Sequence, residues 1–69
     1  MGNSVENYKF TPEQETAVGE LVVDNWGSHT QSGFERDGTP YISFQERPDA
    51  QVETFNVHPD GTSINRRHL

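Results

Sequence analysis

The fold is decided by residues 36–62, which read RDGTPYISFQERPDAQVETFNVHPDGT. Three turn signals punctuate this stretch, at Asp37-Gly38, Pro48-Asp49 and Pro59-Asp60-Gly61. Gly tolerates a positive φ, Pro fixes φ, and Asp bonds to nearby backbone amides, so each residue type favours turns. The runs between the turns are long enough for strands and too short for helices. Consecutive antiparallel strands joined by tight turns are therefore predicted.

The clearest strand is predicted over residues 41–45, where Ile42 and Phe44 share one face. Alternation of apolar and polar side chains is typical of a strand with one buried face. A second strand is predicted over residues 52–57, but Val52 is out of phase with the apolar residues that follow it. Either a bulge or a small apolar spot on the open face is expected there.

Two weaker strands are predicted on either side of this pair. The first covers residues 29–35, with Phe34 inward and a bulge suggested by Gly33. Its poor apolar content favours an edge position in the sheet. The last covers residues 62–68, with Ile64 inward.

A helix is predicted to begin after Thr11, ahead of all four strands. The Thr11 hydroxyl can cap the helix, Pro12 suits the first helical position, and Gln14 completes a capping box. Gly27 is a natural left-handed stop. The predicted apolar stripe of the helix consists of Val18, Leu21, Val22 and either Asn25 or Trp26.

These elements predict an α+β fold in α-β-β-β-β order, with one N-terminal helix packed on a three- to four-stranded antiparallel meander. Residues 1–9 are expected to form a flexible lead-in, and residues 10–69 a single small domain. The predicted core consists of Phe10, Val18, Leu21, Val22, Trp26, Phe34, Ile42, Phe44, Phe55, Val57 and Ile64.

The chain has only 69 residues, of which 29% are hydrophobic, so its core is small. Domains of this size fold with little free energy to spare and often depend on disulfides, a metal or a partner. There is no Cys, which excludes disulfides and fits a reducing, cytoplasmic location. A second copy of the chain or a permanent protein partner is therefore expected.

The net charge of −6 constrains the kind of partner. Eleven acidic residues face five basic ones, and Lys9 is the only lysine. Such a surface does not suit direct binding to a nucleic-acid backbone or to an anionic membrane, both of which attract Lys and Arg. A basic protein partner is favoured instead.

No catalytic or cofactor pattern is present. The histidines fall in separate predicted elements without metal-ligand spacing, and each turn aspartate has a local backbone role. We therefore expect a protein without enzymatic activity, metal or other cofactor. The residues considered are His29, His58, His68, Asp37, Asp49 and Asp60.

The only basic cluster is Asn65-Arg66-Arg67-His68, near the end of the sequence. It could anchor an acidic partner or a phosphate. Alternatively, its arginines could pair across the sheet with acidic residues such as Glu53, and this second interpretation is favoured because opposite charges commonly stabilise neighbouring strands.

A single helix can cover only one face of a sheet, so the other face is the candidate contact surface. The residues predicted to bind a partner on this open face are Tyr41, Ser43, Gln45, Val52, Thr54 and Asn56. The leading hypothesis is a small acidic protein-interaction domain that self-associates or binds a basic protein. The alternative is a nucleic-acid mimic that inhibits a nucleic-acid enzyme through carboxylates such as Glu13, Glu20 and Asp24.

Overall fold

The computed structural model describes residues 8–66 and contains one helix followed by four strands. All four strands form one antiparallel sheet in the order β1-β2-β3-β4, which confirms the predicted α+β fold. No helix within residues 8–66 is long and apolar enough to cross a bilayer. The elements are α1 (Pro12–Asp24), β1 (His29–Phe34), β2 (Pro40–Gln45), β3 (Glu53–Val57) and β4 (Ser63–Asn65).

Some predictions fall on residues 1–7 and 67–69, which lie outside the described residues. They include most of the flexible lead-in, the end of the last strand, and the basic residues Arg67 and His68. Tyr8 is described and half-buried, with its ring centroid 4.9 Å from that of Phe10.

The start of α1 is fixed by the predicted capping box. The Gln14 backbone N–H donates to Thr11 Oγ1, and the Thr11 backbone N–H donates to Gln14 Oε1, each at 3.0 Å. Gln14 is also fully buried, and its Nε2 donates to the Val57 carbonyl at 3.1 Å and to Tyr8 Oη at 2.8 Å. One side chain therefore satisfies the helix terminus and ties it to the end of β3.

The core lies between α1 and the middle of the sheet. Its buried members are Ala17, Ile42, Phe44 and Val57, with Val18, Leu21, Val22 and Phe55 packed against them. These include seven of the predicted core residues. Phe34 is half-buried and packs beside Tyr8 and Phe10, while Phe10 itself remains 39% exposed.

Trp26 was wrongly predicted to be in the core, since it is 83% exposed. The helix ends at Asp24, and the Asn25 N–H bonds back to the carbonyls of its last turn. The turn that contains Gly27, with a φ of 94°, then follows, so Trp26 no longer continues the helical stripe. Asn25 occupies the half-buried position instead.

Ile64 was also wrongly predicted to face inward. It is in register with Asn56, whereas its neighbour Asn65 pairs with Phe55, which packs on the core. A shift of one residue moves every side chain of a strand to the other face, so the length of the β3–β4 turn decides this outcome. The bulge suggested by Gly33 is absent as well, because the β1–β2 register is unbroken over residues 29–34.

Candidate functional site

The structure brings most of the predicted partner-binding residues together on the sheet face away from α1. Tyr41 is in register with Asn56, and Ser43 with Thr54, on the central strands β2 and β3. Val52 directly precedes β3 and is 47% exposed. The open face thus exists as an arrangement of residues, and its role as a contact surface stays a prediction.

Hydrogen bonds link the polar side chains of this face to one another. Ser43 Oγ and Thr54 Oγ1 are 2.9 Å apart, and Asn56 Nδ2 donates to Glu35 Oε2 at 2.8 Å. Arg66 forms an ion pair with the same Glu35 oxygen. Arg66 thus pairs with an acidic residue, but this residue is Glu35, directly after β1, and not an acidic residue of the neighbouring strand such as Glu53, which the sequence analysis favoured.

Gln45 has a different task from the other open-face residues. Its Nε2 donates to the Ala50 carbonyl at 2.8 Å and to the Pro48 carbonyl at 3.2 Å. These bonds hold the loop between β2 and β3 against the end of β2. The side-chain amide is therefore engaged in local structure.

The open face ends in a shallow cleft of about 590 Å³ that contains residues of both charges. It includes the Glu35–Arg66 pair together with His58. Within residues 8–66, no three His, Cys, Asp or Glu side chains are grouped so that they could hold a metal ion. Opposite charges already neutralise each other here, so the cleft does not favour a charged ligand of either sign.

A more distinctive site lies where α1 ends. A depression of about 490 Å³ has Trp26 and Phe44 in its lining. The indole is almost entirely available to a partner, while Phe44 is 2% exposed and anchored in the core. The full lining consists of Asp24, Asn25, Trp26, Ser28, Phe44, Glu46, Ala50, Gln51 and Glu53.

The potential in this depression is negative for two independent reasons. Asp24, Glu46 and Glu53 contribute carboxylates to its lining. In addition, the C-terminal end of a helix carries partial negative charge, and the last turn of α1 has no basic residue to offset it. An aromatic ring beside these groups makes the depression suitable for the cationic end of a long side chain.

The surrounding chain leaves part of this negative charge uncompensated. The ion pairs of residues 8–66 are Arg47–Asp49 and Arg66–Glu35, so neither Asp24 nor Glu46 takes part in one. Glu53 is engaged with Asn65, whose Nδ2 donates to it at 2.8 Å, so the uncompensated charge is that of Asp24 and Glu46.

Sequence reasoning missed this site because helical spacing assigned Trp26 to the core. The available signal was Asn25, a polar alternative for the same stripe position, followed directly by the stop residue Gly27. If the helix ends before Trp26, the indole no longer lies on the side of the helix that packs against the core.

Comparisons with known proteins gave no match to any family model, curated protein or solved structure.

Proposed function

We propose that this chain is a small non-enzymatic protein-interaction domain that binds a basic segment of a protein partner. The observation that supports the proposal is the exposed Trp26 beside the carboxylates of Asp24, Glu46 and Glu53 at the C-terminal end of α1. The depression would receive an arginine or lysine side chain of the partner. The proposal includes the cytoplasmic location expected from the cysteine-free sequence.

Each part of the depression would contribute a different interaction. The indole face attracts a cation by about 0.5–1 kcal/mol when exposed and by about 2 kcal/mol when the contact excludes water. The carboxylates and the helix terminus add attraction that weakens as salt is raised. Arginine is favoured over lysine, because its planar guanidinium stacks on an aromatic ring and bonds to a carboxylate at the same time.

The proposal is tested by titrating an oligo-arginine peptide into the full chain and measuring Kd by calorimetry. Trp26→Ala should weaken binding by about 1–2 kcal/mol, which is about a five- to thirtyfold increase in Kd. Trp26→Phe should recover part of the loss, because Phe retains an aromatic face. The peptide should also perturb the amide resonances of Glu46 and Gln51, which line the depression.

Val23→Ala is the matched control. Val23 is 71% exposed and lies on the same helix, but it does not line the depression. Its substitution should leave Kd unchanged. Unchanged binding in both the Val23 and the Trp26 variants would mean that the peptide binds by general charge attraction, and the proposal would be abandoned.

The open sheet face is the second surface of the proposal. There Tyr41 would carry the contact with a partner or a second copy, together with the neighbouring residues predicted from the sequence. Tyr41→Ser should then disrupt assembly in sedimentation equilibrium while circular dichroism stays unchanged. An unaltered assembly would remove the open face from the proposal and leave the Trp26 depression as its basis.

Nucleic-acid mimicry is the second candidate function, and one observation favours it. Glu13, Glu20 and Asp24 are all exposed and are spaced by seven and four residues, which aligns them along one side of α1. A mimic would lose its target when Glu13 and Glu20 are changed to Gln, whereas Trp26→Ala would have no effect. If the Trp26 depression binds a basic segment, Trp26→Ala should instead weaken binding more than the Glu13 and Glu20 substitutions.

A further inference from the structure

Strand β1 forms one edge of the sheet, and no strand within residues 8–66 pairs with its outer side. It spans His29–Phe34, and the first four of its six residues are exposed. Sequences usually protect such an edge with lysine, proline, a bulge or a covering segment, because unpaired backbone groups attract other strands. β1 contains no charged Lys, Arg, Asp or Glu residue and no proline, and its register with β2 has no bulge.

The opposite edge of the sheet gives a contrast. Strand β4 has only three residues, Ser63–Asn65, and Arg66 follows directly. A short strand next to a charged residue has few backbone groups with which an incoming strand could pair. The longer and uncharged β1 is therefore the edge that is open to pairing.

The backbone direction identifies the groups that β1 presents. The Glu35 N–H, next to the strand, donates to the Thr39 carbonyl at 2.8 Å and so points toward β2. Alternate residues of a strand direct their N–H and C=O to the same side, so Gly33 and Gln31 also point toward β2. The outward backbone groups then belong to Thr30, Ser32 and Phe34.

We propose that two copies of this chain pair antiparallel through β1, about a two-fold axis at Ser32, to form one continuous sheet. In this register, Thr30 of one copy lies opposite Phe34 of the second copy, and all outward groups of both strands find partners. The same register sets His29 opposite Glu35 of the second copy, so no like-charged side chains lie directly opposite each other. The pairing is self-complementary, as a closed two-fold dimer requires.

An apolar groove beside β1 gives this pairing a hydrophobic component. The groove has a volume of about 480 Å³ and lies on the helix side of the sheet. The β1 strand of a second copy would extend the sheet below the open side of this groove. It would cover side chains in the groove that one copy leaves partly exposed. Among the apolar side chains in its lining, Phe10 is 39% exposed and Val18 and Phe34 are half-buried, whereas Ile42 and Val57 are already buried in one copy.

Proline at position 32 tests the proposal, with Ser32→Ala as the matched control. Proline removes an N–H that points away from β2, so the ladder within the chain stays intact. Sedimentation equilibrium should show a dimer for the wild type and for Ser32→Ala, and a monomer for Ser32→Pro with an unchanged circular dichroism spectrum. A wild-type chain that remains monomeric at every concentration, or a dimeric Ser32→Pro, would overturn the proposal.

The register can be tested separately, because the natural chain has no cysteine. Residues directly opposite in a hydrogen-bonded antiparallel pair have Cα atoms about 5.5 Å apart, within the range of a disulfide. Ser32→Cys should therefore cross-link quickly into a covalent dimer on mild oxidation. Ser63→Cys, in the exposed part of β4, is the control and should cross-link only by collision; equal rates for the two variants would exclude the Ser32-centred register.

Salt distinguishes this dimer from the proposed binding of a basic segment. Two chains of charge −6 repel each other, so added NaCl should favour the dimer. The same salt should weaken binding of a basic peptide to the Trp26 depression. A dimer that dissociates as salt is raised would contradict pairing through the uncharged β1 edge.

Discussion

At the residue scale, Gly33 and Tyr41 pack closely against each other on the open face. These residues are directly opposite on β1 and β2, and a Cβ atom at Gly33 would lie 2.8 Å from Tyr41 Oη and 2.9 Å from Cζ. The phenol ring therefore occupies the space that the missing side chain provides, an arrangement that offsets the weakness of glycine in a strand. Arg66 completes the stack, with its guanidinium carbon 5.5 Å from the ring centroid.

This contact makes Gly33→Ala a test of packing that depends on its neighbour. With Tyr41 present, the substitution should lower the free energy of unfolding by about 1–3 kcal/mol, because the added methyl group overpacks the site. In a Tyr41→Ser background the same change should be neutral or should raise stability by about 0.4–1 kcal/mol, because alanine restricts the unfolded chain. Urea denaturation of the four variants measures both effects. An equal cost in the two backgrounds would mean that the ring does not lie over Gly33 in solution.

At the element scale, the turns before β2 and β4 use the same local chemistry. Asp37 Oδ1 accepts the Thr39 N–H at 3.0 Å, and Asp60 Oδ1 accepts the Thr62 N–H at 2.9 Å. The glycine after each aspartate has a φ near 90°. These turns could be predicted from the sequence because every interaction that defines them lies within a few neighbouring residues.

The hydrogen bonds in these turns also predict how stability depends on pH. The bond from the Thr62 N–H lowers the pKa of Asp60 below its usual value, and the Thr39 N–H does the same for the pKa of Asp37. The stabilisation that these two carboxylates give the folded state is therefore fully present above the unfolded-state pKa of about 3.9. It is lost as pH falls through their lower folded-state pKa. Asp60→Asn keeps an oxygen acceptor but does not titrate, so its unfolding free energy should fall less steeply in acid.

Urea denaturation of the wild type and of Asp60→Asn across the acid range provides this measurement. Asp60→Ala serves as the control that removes the acceptor, and it should be less stable than Asp60→Asn near neutral pH. If Asp60→Asn retained the full acid dependence of the wild type, the Asp60 carboxylate would not be a source of it.

The parts of the fold that sequence reasoning missed depend on distant contacts. Alternation predicts which residues of a strand share a face, but only the register with β3 decides that Ile64 lies on the open face. Likewise, the spacing of the helical stripe cannot show that the helix stops before Trp26. Most open-face residues were placed correctly because Tyr41 and Asn56 belong to the central strands, whose phase is set by their buried neighbours.

At the scale of the whole molecule, a small core coexists with an uneven charge distribution. Helix α1 alone carries Glu13, Glu15, Glu20 and Asp24 and no basic residue. None of these carboxylates takes part in the ion pairs of residues 8–66. Repulsion among them opposes the compact state, and a small domain has little free energy with which to resist it.

Added salt should therefore stabilise the fold. Raising NaCl from about 0.02 M to about 0.5 M should increase Tm, because the Debye length falls and the carboxylates repel each other less. Glu20→Gln should raise Tm at low salt and reduce the further gain from NaCl. Thermal unfolding followed by circular dichroism, at a fixed protein concentration, measures both effects. A Tm that falls with salt would mean that attractive ion pairs outweigh the repulsion.

The position of Trp26 also determines what an optical experiment on this protein can report. It is the only tryptophan in the chain, and water already surrounds most of its indole in the native state. Its fluorescence should therefore change little when the chain unfolds and should respond mainly when another molecule covers the ring. The protein thus carries an intrinsic optical reporter of docking that is nearly insensitive to denaturation.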